Sequence, residues 1–560
     1  MAPLVVLLLG AAAGALRAQV SCDGRQIGRI TVTTRSLFTV EESRIPTFLQ
    51  RLGNSLHWQT QESTVRRELL FGAGEPCDRR RLAETQRLLR AQPYLRSATV
   101  VAQESTGETV DVHVTTFDDW SLRGSARIET GGTRGPIRRL RIAEENLWGR
   151  GLRAQLRFNN EGRQPGVDVA VSTRQLFGQD DADFLFGRSS VGPVAEQSVL
   201  HAFESEFDRT AWREATRYRK EPFLLTSPAL GLVVQPIVLT GFDAGIAQRF
   251  GRPGLLAITG GLLSYERLFI EGDAFAWDAV YDSAAAATLR GQWRERRRVR
   301  AHLLLGGRAL KFVQRGGIDA VNAAEDIRLG FEGGLVGGAT VLGGRRLQQD
   351  RFGAAEFYAG AQLSARTLAF ARGKWEGRYH SGAWDGVIAW GDVVAYHTSS
   401  NRTTMVYGVT AAGGWNNSTP FQLTLAGPFG LRGFGGAGLP VARRIVAHAE
   451  RRTFRGVVLG AVDLGTALFV DAGQGWGGHV PFGEDTGFLG SIGAGLRAAF
   501  PSGSRLTYRL DIAVPLRGGH GLELRTGFRQ QFGILRGESE DVIRSREQVS
   551  SVTVFNFPRF

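Results

Sequence analysis

From about residue 119 onward the chain alternates between apolar and polar positions in short runs. In LRAQLRFN (152–159), Leu152, Ala154, Leu156 and Phe158 share one face, and Arg153, Gln155, Arg157 and Asn159 share the other. RLTYRLDIAV (505–514) sets Leu506, Tyr508, Leu510, Ile512 and Val514 against Arg505, Thr507, Arg509 and Asp511. GVDVAVSTR (166–174) and SVTVFNF (551–557) repeat the pattern more weakly. Successive side chains of a strand point to opposite faces, so a period of two predicts strands with one apolar and one charged face. No helical period is read over this stretch.

The region before it follows another rhythm. IGRITVTT (27–34) alternates as a strand, with Ile30 and Val32 on one face. A short helical pattern closes at Leu69 and Leu70 and is stopped by Gly72 and Gly74. Asp78 then suits the N-cap of a second helix, whose Leu82, Thr85, Leu88 and Leu89 form an apolar stripe ending before Pro93. SATVVAQ (97–103) and TVDVHVTT (109–116) read as two strands joined by a turn. The order strand, helix, helix, strand, strand predicts a small α+β domain over 19–118. Residues 37–60 add length between its first strand and first clear helix.

A soluble sandwich would also alternate. The polar face separates the two cases: here it is rich in Arg and recurs over most of the chain. With 560 residues and a mean hydropathy of −0.13, the chain lacks the apolar runs of about 20 residues that helical spans need. The first residues read as a secretory leader, with an apolar run Leu4–Leu9 and a cut after Ala18, although no Lys or Arg precedes that run. An exported chain of this pattern is expected to form a membrane all-β barrel over 119–560, apolar toward lipid and polar toward a wet lumen. About 16 antiparallel strands would use about 27 residues each, turns included. The terminal Phe560 suits a final barrel strand.

The net charge is +14, and Lys occurs only at 220, 311 and 374. Such an excess of Arg suits an anionic surface such as lipid headgroups, or nucleic acid. The two cysteines, Cys22 and Cys77, are expected to pair in an oxidising compartment rather than remain as free thiols.

Several motifs carry a resemblance. They are NSLHWQTQESTVRRELLFGAGEPCDRRRLAETQRLLRAQPYLRSATV (54–100), EENLWGRG (144–151), LRGF (431–434), LFVDAG (468–473) and GAGLRAAFPSGSRLTYRLDIAVPL (493–516). In this order they resemble the outer-membrane assembly factor superfamily, whose branches include BamA, TamA and the two-partner secretion transporters. The first domain resembles a POTRA domain, the periplasmic module of that family, present here once. The resemblance implies that the loop of Gly430, Arg432, Gly433 and Phe434 inserts into the barrel. There Arg432 would pair with Asp471 and Glu450 over Phe469. The alternation agrees: Val446, His448 and Glu450 share one face, as do Phe469 and Asp471. A guanidinium offers five donors in a planar fork, enough to bridge two carboxylates and stack on a ring. Glycines let such a loop turn back on itself. The expected result is a latch that locks the loop and the barrel.

The resemblance implies localisation in the bacterial outer membrane with the N-terminal domain in the periplasm. Expected partners are the outer-membrane bilayer with lipopolysaccharide, and unfolded outer-membrane or secreted clients. Nucleic acid is not expected as a partner. The expected function is assembly or insertion of outer-membrane proteins, with clients captured by strand addition and templated at the barrel seam. A two-partner-type secretion pore and a passive channel or surface antigen are the alternatives. No metal, cofactor or catalytic residue is expected. GLRGFGG lacks the strand–loop–helix surroundings of a phosphate loop, and the nine His are scattered. His448 is read as structural.

Overall fold

The computed structural model describes residues 22–547, apart from 39–44, 106–107, 129–136, 163, 175, 177–179, 278–286, 288, 290, 343–348, 427–429, 436–437, 518–520 and 534–537. The expected leader, the alternation at 551–557 and Phe560 lie outside the described residues.

The N-terminal unit holds strands β1 (Gln26–Arg35), β2 (Leu95–Glu104) and β3 (Thr109–Asp118), and helices α1 (Thr47–Ser55), α2 (Glu62–Arg67) and α3 (Arg79–Ala91). Asp78 caps α3 by accepting from the Arg80 amide. Leu82 and Leu89 of α3 pack against Val100 of β2 and Val110, Val112 and Val114 of β3. The sheet order is β1–β3–β2, with β1 parallel and β2 antiparallel to β3. A Cys22–Cys77 disulfide ties the residues before β1 to the residue before the α3 cap. Leu69 and Leu70 lie just past α2, and residues 37–60, to which no element was assigned from sequence, contain α1.

The rest forms a closed antiparallel barrel, and among the described residues it has twenty strands of six residues or more. This corrects the expectation of about 16. Six strands fit between Leu122 and His201 alone, so an even allotment of about 27 residues per strand undercounts them. The strand expected from Arg505 starts at Tyr508, and residues 500–507 form a turn.

Inside and outside follow the pleat. On Arg296–Gly316, Leu303 and Leu305 are 58% and 48% exposed, while Arg298, Arg300 and His302, on the alternate positions leading up to them, are buried. Phe242, Ile246, Phe331, Leu335, Leu468 and Ile512 likewise face outward. Charged inside and apolar outside is the reverse of a soluble protein, and it is the arrangement of a barrel standing in lipid. Among the described residues no helix is long and apolar enough to cross a membrane.

The wall is uneven. Its first strand, Leu122–Ile128, neighbours the last described one, Glu523–Phe528, and these have seven and six residues. Across the barrel, Gly231–Arg252 and Arg296–Gly316 have 22 and 21. At about 3.4 Å per residue the described strand lengths fall from about 75 Å to about 20–24 Å at this seam, where Leu122–Ile128 runs up to the undescribed residues 129–136.

The N-terminal unit docks on one rim, here called proximal. Arg90 makes a two-pronged pair with Asp326 at 2.7–2.8 Å, and Arg505 donates to the Gln92 and Leu95 carbonyls at 3.0 Å. Asp119, its carboxyl pushed up by burial, accepts from the Ser504 hydroxyl at 2.9 Å. In the EENLWGRG turn, Asn146 bonds the Trp58 carbonyl and Thr60, and the Gly149 carbonyl accepts from the Gln61 amide.

Two segments leave the wall and fill the lumen. One is the loop between the strands Thr403–Trp415 and Arg443–Val458, which enters from the distal rim. The other follows Phe528: residues 529–533 are drawn inward, and α4 (Glu540–Glu547) lies further up inside. The alternation predicted no helix here. α4 is only eight residues long and mostly polar, too short to display a helical period.

An arginine clasped inside the barrel

Arg432 reaches the inner wall because its loop is pinned on both sides. Leu423–Thr424 pairs with Pro440–Val441 as a small sheet, and the Leu431 amide donates to the Leu425 carbonyl at 2.8 Å. Gly430 lies so near this backbone that a Cβ would stand 1.9 Å from the Leu425 oxygen. Gly433 adopts φ +91°, a left-handed conformation that a side chain would strain. Leu431 and Phe434 are buried with Phe421, Leu425 and Val446, which anchors the tip.

The tip points at three strands of one stretch of wall, two of them adjacent and the third separated from them by one strand. Register places His448 opposite Asp471 and Glu450 opposite Phe469, so the two acids are diagonal neighbours on the inner face. Arg432 Nε and Nη2 grip Asp471 at 2.6 and 2.8 Å. Its Nη1 donates to Glu450 at 3.1 Å and to Asp511 at 3.2 Å. The Arg432 Cζ sits 3.3 Å from the centre of the Phe469 ring. All these charged side chains are fully buried. The structure thus brings together Arg432, Glu450, Phe469 and Asp471.

The cluster is larger than the motifs indicated. Arg497 pairs with Asp511 at 2.5 Å and Glu450 at 3.1 Å, Arg452 with Glu450 at 3.0 Å and Asp319 at 3.1 Å, and Arg509 with Asp511 at 3.2 Å. Arginines 432, 452, 497 and 509 therefore face the carboxylates of Asp319, Glu450, Asp471 and Asp511. The count balances, as buried charge requires. Asp511 and Arg509 were on the polar face of the RLTYRLDIAV alternation, which was the available signal for them. Arg497 lies in the GAGLRAAF motif, whereas nothing in the sequence pointed to Asp319, which comes from a proximal turn folded inward.

The C-terminal segment closes over this cluster. The Phe532 ring stacks on His448 at 3.6 Å between centres and lies 5.3 Å from Arg432. The Phe532 carbonyl accepts from Arg452, and Gln530 accepts from Arg497. Higher in the lumen, Asp541 of α4 is gripped by Arg444 at 2.6 and 3.0 Å and accepts from the Thr424 amide. Val542 is buried against the latch loop's own core. A cavity of about 700 Å³ remains beside α4, lined by charged groups including Arg157, Glu196, Arg217, Glu356 and Lys374. Among the described residues no group of three or more His, Cys, Asp or Glu could hold a metal.

No protein-family profile and no curated protein matches the chain. Among solved structures it is similar to BamA from Haemophilus ducreyi lacking POTRA domains 1–3, at 14% identity and a TM-score of 0.33, covering 90% of this chain and 83% of that one. It is also similar to CdiB from Escherichia coli, at 11% identity and a TM-score of 0.41, over 90% and 76% of the chains. CdiB from Acinetobacter baumannii follows at 9% identity and a TM-score of 0.37, over 90% and 73%. Likenesses this distant do not decide between activities.

Proposed function

We propose that the protein is an insertion or assembly factor of the outer-membrane assembly factor superfamily, acting on unfolded barrel clients without covalent chemistry. The observation that carries this reading is the uneven wall. A strand needs about 9–11 residues to cross a bilayer, and over the described residues the two seam strands have seven and six. A wall that short cannot match the lipid around it, so the bilayer beside the seam is thinned and the barrier to inserting a client strand falls there. Between strands this short is also the cheapest place to part the wall.

The filled lumen supports the same reading. The latch loop, residues 529–533 and α4 occupy the space a threading passenger or a passive solute would need. The N-terminal unit, POTRA-like and periplasmic in this reading, presents β1 and β2 as sheet edges to which a client strand can add. Depletion of the protein, followed by an inventory of the outer membrane, is expected to remove several barrel proteins. Loss of a single secreted product would indicate a two-partner-type pore, and an unchanged inventory a passive channel or surface antigen.

A further inference from the structure

We propose that α1 is a membrane-surface helix, lying in the headgroup layer on the proximal side and strapped beneath the barrel seam. The helix shows solvent an apolar stripe. Phe48 and Leu52 are 68% and 52% exposed, and Leu56, one residue past its end, is 58% exposed. Spaced four apart, they fall along one face. Arg51 flanks the stripe and is exposed, as suits a helix resting among anionic headgroups.

The opposite face is held down, so the stripe cannot turn inward. Asn54 accepts from the Phe38 amide and the Ser36 hydroxyl at 3.2 and 3.1 Å, and donates to the Phe38 carbonyl at 3.1 Å. Gly53 lies against the Phe38 ring, where a Cβ would stand 2.7 Å from a ring carbon. Phe38 in turn packs on Phe500, 5.7 Å between ring centres.

The two ends are fixed on either side of the seam. Before α1, Leu37, Phe38 and Ile45 pack with Ala461, Val462 and Phe500 on the proximal rim of the strands preceding Glu523–Phe528. After α1, the Trp58 carbonyl and the Gln61 amide bond Asn146 and Gly149, at the turn two strands past the seam. The stripe also continues the lipid-facing belt. Val457, Val458 and Leu459 are exposed at the rim next to Ala461, and Trp58 and Trp148 are exposed at the other end. Tryptophans collect where a protein leaves the bilayer for water. This continuity with the belt commits the stripe to lipid as its occupant. The inference rests on the barrel standing in a bilayer and is independent of whether clients are inserted.

The test uses the full chain in vesicles of phosphatidylcholine and phosphatidylglycerol, with the native disulfide intact. A nitroxide is attached through Phe48→Cys, Leu52→Cys or Leu56→Cys, one at a time, with Glu104→Cys on the exposed end of β2 as the aqueous control. Labels at 48, 52 and 56 are expected to relax several-fold more with oxygen than with a nickel chelate, and the control is expected to show the reverse. Nickel access at all three equal to that at 104 would overturn the proposal. A soluble protein as the natural occupant would give that same result with the purified chain. A joint Phe48→Ser, Leu52→Ser and Leu56→Ser variant guards against probe artefacts. It is expected to make the N-terminal unit more protease-sensitive in vesicles but not in detergent, and equal sensitivity in both would count against the helix as a lipid anchor.

Discussion

The two sides of the barrel are held in different ways. On the tall side, Thr210–Ser227, Gly231–Arg252 and Leu255–Ile270 pair along nearly their whole lengths, and the long backbone ladder supplies most of the cohesion, with pairs such as Arg213–Asp243 added to it. On the seam side, Tyr508–Pro515 and Glu523–Phe528 share only a six-residue register. Support there comes from within. Arg432 joins Asp471, Glu450 and Asp511 across three strands, and the loop tip reaches the last described strand through the Gly433 amide on Glu523. The comparison teaches that a barrel can keep a weak line in its wall if side chains in the lumen take over from the ladder beside it.

The largest break of this contrast is Arg432→Ala, which leaves buried carboxylates without their shared partner. Removing one member of a buried pair costs about 3–5 kcal/mol. A heat-modifiability series on gels is expected to show the variant unfolding at clearly lower temperature, and client insertion should fall with it. Asp471→Asn keeps the shape and weakens a charge-assisted grip, for an expected loss of about 1.5–3 kcal/mol in the same assay. Wild-type behaviour of both variants would remove the latch as a support.

A smaller effect separates plug from latch. Asp541→Ala frees α4 from Arg444 without touching the Arg432 cluster, and planar-bilayer recordings are expected to show larger and more frequent conductance steps with little change in unfolding temperature. Unchanged conductance would mean that α4 does not limit passage. The smallest effect belongs to the tall side. Arg315 is only half-buried near the proximal end of its strand and, among the described residues, touches no buried charge, and Arg315→Ala should shift stability by no more than about 0.5 kcal/mol. A shift as large as that of Arg432→Ala would erase the difference between the two sides.

The strands and their faces could be read from the chain before its fold was known, but the contrast in their lengths could not. The alternation at Leu152–Asn159 and around Tyr508–Val514 named strands and faces, because a period of two survives any tertiary setting. Strand length was less legible. The pleat pattern does not say where pairing stops, so the crowded strands after Leu122 were undercounted. Arg432, Asp471 and Glu450 were found through motifs in order, while Asp319 entered the cluster from a turn that folds inward, which no local pattern announces. α1 and α4 were missed for one reason. Each is under three turns long, and its position is set by docking on Phe38 or Arg444 rather than by helical propensity.

Hydrogen exchange of the full chain in a bilayer, wild type beside Arg432→Ala, tests the central claim most directly. The account predicts that amides of Leu122–Ile128 and Glu523–Phe528 exchange faster than those of Gly231–Arg252 in the wild type. It also predicts that the variant speeds exchange in Glu523–Phe528 and its neighbours and leaves the tall strands unchanged. Uniform protection around the barrel, or a variant that loosens both sides alike, would contradict it.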